Sequence, residues 1–150
     1  MTSHWRFVGM IATSTVAMYG LMYLNTYAWE HVFWSETRAW MALVMGATMS
    51  VIMLGFMWGM YERTFLNLAI VGGSIAVFAL SLWLVRSQAT VDDVEYMKAM
   101  IPHHSIAILT SKRAQISDPR VRKLADEIID AQEREIAQMK YLAADLEARD

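Results

Sequence analysis

The pattern of apolar and polar positions changes character once along the chain. Residues 7–24, 40–60 and 65–85 are runs without a single charged side chain. Each is close to the ~20 residues that a helix needs to cross ~30 Å of hydrocarbon, so the pattern predicts three transmembrane helices within residues 1–86. The first run is too long for a removed signal peptide and lacks its small-residue cleavage site, which keeps it as a span. Beyond residue 87 the apolar positions become sparse and periodic. Val121, Leu124, Ala125, Ile128, Ile129, Ile136, Met139, Leu142 and Leu146 recur at three and four spacing, the mark of a one-faced helix.

Local signals set the ends of these elements. Thr90 with Asp93 three residues on reads as a capping-box-like start, with Asp92 and Glu95 near the positive end of the helix dipole. That predicts a helix over 91–115 with Pro102 as an interior break. Asp118 as N-cap and Pro119 at the first helical position predict a second helix over 119–148. The expected fold is therefore an all-α membrane protein: three spans (1–86) followed by an extramembrane two-helix hairpin (87–150). Such a short hairpin buries too little apolar surface to stand alone, so it must pair with a second copy or dock on its own membrane domain.

Around the spans, Tyr23, Tyr27, Trp29, Trp34 and Trp40 crowd the first connection, and Trp58 and Tyr61 flank the second, as aromatic belts do at membrane interfaces. Only Glu62, Arg63 and Thr64 separate the second and third runs, which makes them an antiparallel pair. Gly55 and Gly59, Gly46 and Ser50, and Ala69 with Gly73 offer small-residue faces for that packing.

Charge sharpens the division. Of 13 Lys and Arg, only Arg6, Arg38 and Arg63 precede Arg86; of 15 acids, only Glu30, Glu36 and Glu62 do. The remaining charges are nearly balanced, and a formal net charge of -2 gives no basic surface for nucleic acid. The absence of cysteine excludes disulfides, thiolate metal sites and thiol nucleophiles. Positive charges do not fix orientation, because Arg6, Arg63 and the amino terminus oppose Arg38, Arg86 and Lys98.

The densest chemistry lies around the proline of the first tail helix. Met97, Met100 and His104 fall within about 60° of helix circumference, and His103 lies about 60° to the other side of Met100. Thioether sulfur suits Cu(I) or Ag(I), and imidazole extends the range toward Cu(II) and zinc. On the second tail helix Gln132, Glu135 and Met139 share a seam. Glu135 could orient a histidine ring or ligate directly, and Met139 could add a sulfur. The alternative is that the methionines are packing, the histidines hydrogen-bond at the kink, and Gln132 and Glu135 lie on a solvated edge beside Arg134 or Lys140. Thirteen methionines include Met41, Met45, Met49, Met53 and Met57 at a spacing of four. This ladder either passes a soft cation or is a pliable packing strip. His31, between Trp29 and Trp34, shares its loop's aqueous side with the tail and is a further candidate ligand.

Met97-x-x-Met100-Ile101-Pro102-His103-His104-Ser105-x-Ala107, Asp118-Pro119-x-Val121 and Ile128-Ile129-x-x-Gln132-x-x-Glu135-Ile136-x-x-Met139 together resemble the bacterial domain of unknown function 305 family over about residues 91–146. That resemblance implies half of a ferritin-like four-helix bundle, with extracytoplasmic members that bind copper or silver. It marks Met97, Met100, His103, His104, Glu135 and Met139 as metal ligands. It also implies that the tail faces the periplasm or exterior, which with the three runs gives the expectation of a multi-pass protein of the bacterial inner membrane with a cytoplasmic N-terminus. Two departures stand out: this chain has one copy of the unit where many members have two, and no Glu stands three residues before a His, as a di-iron centre requires.

The expected function is Cu(I) sequestration, tolerance or delivery, with silver as surrogate, zinc less suited, and membrane lipids and a homo-oligomer or larger membrane complex as partners. The competing expectation is a structural accessory subunit with no metal role. No nucleophile with its base, phosphate-binding glycine loop or paired catalytic acids is visible, so no enzymatic activity is expected.

Overall fold

The computed structural model describes residues 3–149. Among them there are five α-helices and no strand: α1 (Ser3–Leu21), α2 (Glu36–Phe56), α3 (Thr64–Ser87), α4 (Asp93–Arg113) and α5 (Pro119–Glu147), with single 3₁₀ turns at Trp29–His31 and Trp58–Met60. The helices form two compact units. One comprises Met1–Met22 and Thr37–Thr90; the other comprises Tyr23–Glu36 and Val91–Asp150.

In the first unit, two helices rather than three are long and apolar enough to cross a membrane, α2 and α3. The α1 helix carries His4 and Arg6 in its first turn and Thr13, Ser14 and Thr15 at its middle, which lowers its hydropathy. Only 28% of the apolar window of α2 and 11% of that of α3 is buried within the protein. A core helix of a soluble protein would be mostly covered; these present their apolar side chains outward, with Phe65, Ile75, Leu80 and Trp83 of α3 all more than half exposed.

What holds this unit together is a mixture of close approach and polar contact. Phe7, Leu54 and Tyr61 form a buried cluster that Ile11, Met53, Met57, Ile70 and Val71 extend. Gly46 faces Thr15 of α1 so closely that a β-carbon there would run into the Thr15 hydroxyl, so glycine is required by contact. The Ser74 hydroxyl donates to Ser50 Oγ at 3.0 Å, linking α3 to α2. Asn67, fully buried, lies 3.0 Å from His4 Nε2 through its Oδ1 and donates to the Tyr61 carbonyl at 3.2 Å. The glycines of the expected GxxxG pair are not used this way, because nothing lies within 4 Å of where a side chain would extend from Gly55 or Gly59. The methionine ladder winds as a spacing of four must. Met53 and Met57 pack on the buried cluster, while Met45, Met49 and Met53 line a shallow groove on the flank of α2 and Met41 is exposed.

The second unit is an antiparallel α4–α5 hairpin. Lys98 near the start of α4 meets Glu147 at the end of α5 at 2.6 Å, and Lys112 near the end of α4 meets Glu133 at 2.9 Å. Its core is Ile101, Ile108 and Ile136, with Phe33 and Met139 packed against them. Asp92, not Thr90, caps α4: its carboxylate accepts the Glu95 N–H at 2.8 Å, which places Asp93 inside the first turn. Asp118 caps α5, accepting the Arg120 N–H at 2.8 Å, with Pro119 at the first helical position. Helix α4 runs on through the buried Pro102. The segment 23–36 packs on the hairpin: Phe33 joins its core, and the Tyr27 N–H donates to Ser105 Oγ at 2.7 Å.

Candidate metal site on the tail hairpin

Two faces of the hairpin carry polar chemistry. On the first, Met97 and His104 stand two turns apart on α4 and therefore on one stripe, and Glu135 and Met139 stand one turn apart on α5. All four line one cavity of about 740 Å3. Met100 and His103, the other two expected ligands, are not among its lining residues. His103 is exposed on α4, its ring centroid 6.3 Å from that of His104 and tilted by 53°. One step of 100° along a helix suffices to turn adjacent histidines to different surroundings.

Within the cavity His104 Nδ1 lies 3.2 Å from Glu135 Oε2. That is hydrogen-bond range in distance but not in direction, and Nδ1 is a buried atom without a hydrogen-bond partner. Burial pushes the His104 pKa down; the Glu135 carboxylate opposes this and His103 adds to it. The net direction favours the neutral ring, the form that ligates metal. Two donors bound to one ion at ~2.1 Å each are about 3–3.4 Å apart at ordinary coordination angles, so the His104–Glu135 separation suits a shared ion.

The cavity is lined by one imidazole, two thioethers and three carboxylates, Asp93, Glu135 and Asp145, of which Glu135 lies against His104. Among the described residues no three His, Asp or Glu side chains come together in a way that could hold a metal. A site for a hard or borderline cation would need more nitrogen and oxygen than this; a soft cation would take its remaining ligands from Met97 and Met139.

On the second face Ser105, fully buried on α4, accepts the Tyr27 N–H and lies 2.9 Å from His31 Nδ1. Ser105 Oγ and His31 Nδ1 are thus hydrogen-bonded, with the donor set by the His31 tautomer. His31 Nε2 lies 3.6 Å from Glu30, and Glu30 lies 3.5 Å from Lys140. Burial lowers the His31 pKa first, Lys140 lowers it further and Glu30 opposes. A cavity of about 310 Å3 adjoins this group, lined by His31, Glu30, Glu133 and Lys140, but by none of Met97, His104 or Met139. His31 is therefore a buried tie to Ser105, and it shares no cavity with the expected ligands. Ser105 stands in the family-like pattern from Met97 to Ala107 with no role expected of it, and its place one turn beyond Ile101 puts it on the buried stripe.

Residues 84–149, the end of α3 and the whole hairpin, match the sequence family described as "Domain of unknown function (DUF305)". The chain is also similar to "Uncharacterized protein L153" of Acanthamoeba polyphaga mimivirus, 39% identical over 71 residues, which is 46% of this chain and 47% of the viral protein. The chain thus matches about half the length of this relative. No solved structure matches.

Proposed function

We propose that this chain is a membrane-anchored carrier or store of Cu(I), for which Ag(I) is a surrogate. Its ion is held on the tail hairpin by His104, Met97, Met139 and Glu135, with Met100 and His103 as a flanking entry pair. The observation that carries this reading is the buried His104 Nδ1, without a hydrogen-bond partner beside a carboxylate in a cavity that also contains two thioethers. An orphan ring nitrogen is costly unless something occupies its lone pair, and a soft cation does so while drawing on both sulfurs. The three-span topology, with α1 crossing alongside α2 and α3, the N-terminus cytoplasmic and the hairpin outside the bacterial plasma membrane, belongs to the same proposal; the spans rest on the three uncharged runs and the orientation on the family resemblance.

The test uses the full chain in detergent. Dialysis against Ag(I), or Cu(I) under reductant, in the presence of equimolar Zn(II) should leave about one soft ion per chain and little zinc. His104→Ala and Met97→Ala should each lower affinity at least tenfold, while Met41→Leu should not. Failure to retain Ag(I), or equal retention of zinc, refutes the metal role and favours a structural subunit of a larger membrane complex. Orientation is read separately: the chain has no cysteine, so Arg120→Cys on the surface of α5 should react with a membrane-impermeant maleimide added to intact cells.

A further inference from the structure

Helix α5 carries more apolar surface than the hairpin covers. Val121 is 50% exposed, Leu124 55% and Leu142 39%, with Ile128 at 36%. At 100° per residue these positions share an arc of about 80° with Gln132, Glu135, Met139 and Leu146. The exposed row is therefore continuous with the wall of the His104 cavity, to which Glu135, Met139, Leu142 and Leu146 belong.

The order of side chains along this row is self-complementary. Val121 and Leu146, Leu124 and Leu142, Ile128 and Met139, and Gln132 and Glu135 all lie nearly symmetrically about the peptide bond joining Glu133 and Arg134. Laid antiparallel on a copy of itself, the helix sets apolar against apolar at three levels on either side of the centre. At the centre each Gln132 amide meets the partner's Glu135 carboxylate. A two-fold contact demands this symmetry, since each residue i that meets j requires j to meet i; an unrelated partner or a lipid demands nothing of the kind.

We infer that the occupant of this face is a second copy of the chain, with α5 pairing antiparallel to α5 about the Glu133–Arg134 peptide. The pairing covers the open side of the His104 cavity: the partner's Ile128 lies over Met139, and the partner's Gln132 donates to Glu135. This leaves Glu135 oriented and the cavity shielded from water. The effect on the ion rests on the metal reading above; the pairing itself does not.

The experiment separates the two. The full chain in detergent, without metal, should have a dimer's protein mass by light scattering and dissociate on dilution. Leu124→Asp and Ile128→Asp should make it monomeric with unchanged helical circular dichroism, because neither side chain belongs to the buried core cluster of Ile101, Ile108 and Ile136. Gln132→Cys, close to the axis, should form disulfide-linked dimers under mild oxidation, and Asp130→Cys, on the opposite side of α5, should not. A monomer at all concentrations, a Leu124→Asp protein that stays dimeric, or equal cross-linking at Asp130 and Gln132 overturns the pairing. Ag(I) should then leave Leu124→Asp at least tenfold faster than the unsubstituted chain. Equal release from a confirmed dimer and monomer overturns the shielding of the site, and leaves both the pairing and the metal reading to their own tests.

Discussion

Ser105→Ala gives the sharpest test of how the first connection is held on the hairpin. The substitution removes one oxygen from a fully buried position and leaves two groups without a partner: the Tyr27 N–H, 2.7 Å away, and His31 Nδ1, 2.9 Å away. An orphaned buried donor or acceptor costs about 1–3 kcal/mol. The Tyr27 N–H is only partly buried and belongs at the low end, so the pair is worth about 2–4 kcal/mol. At about 1.36 kcal/mol per tenfold, local opening of residues 23–36 becomes about 30- to 900-fold more frequent. Hydrogen exchange followed by mass spectrometry on the full chain should show faster exchange in peptides covering Tyr27 to Phe33, with α5 peptides far less changed. Thr110→Ala is the control, since its exposed hydroxyl bonds only to the carbonyls of Ile106 and Ala107 in its own helix. Unchanged exchange at Tyr27–Phe33 in Ser105→Ala would refute the tie.

Acid should loosen the same unit. His31 and His104 both have pKa values below the ordinary 6.5 in the folded chain, chiefly through burial. Unfolded chains therefore bind more protons as pH falls through ~6.5, so the stability these rings contribute is full above that value and is lost as pH drops toward the folded pKa values. Around His31 the facing charges are Glu30, Lys140 and Glu133. Melting temperature should fall between pH 7.5 and 5, and a His31→Phe variant should show a shallower fall; a flat or rising profile contradicts the assignment. In the unit formed by α1, α2 and α3, Gly46→Ala should destabilise by about 1–3 kcal/mol through its collision with Thr15, and Thr15→Ala in the same chain should recover part of that loss, read by unfolding in denaturing detergent.

The sequence by itself determined the helices and where most of them begin and end. Long uncharged runs at α2 and α3 read as helices long and apolar enough to cross a membrane, because a helix satisfies its own backbone polar groups. Asp118 and Pro119 specify the start of α5 because a cap and a preset φ act within one turn. The shared stripe of Met97 and His104 was legible for the same reason, since helical periodicity is local arithmetic.

What needed the third dimension was every contact between distant positions. The segment 23–36 reads as an interfacial loop of aromatics, yet Phe33 joins a core with Ile101, Ile108 and Ile136, and His31 reaches Ser105, 74 positions later. No periodicity records such a pairing, because it depends on where two elements meet and not on the residues of either. The same holds for the ligand set, in which His104 joins Glu135 in the cavity while its neighbour His103 turns away. It holds also for the glycines, where Gly46 lies against Thr15 and the GxxxG pair Gly55 and Gly59 touches nothing. A helix displays its side chains according to sequence, but which of them are used is decided by the face that a second helix covers.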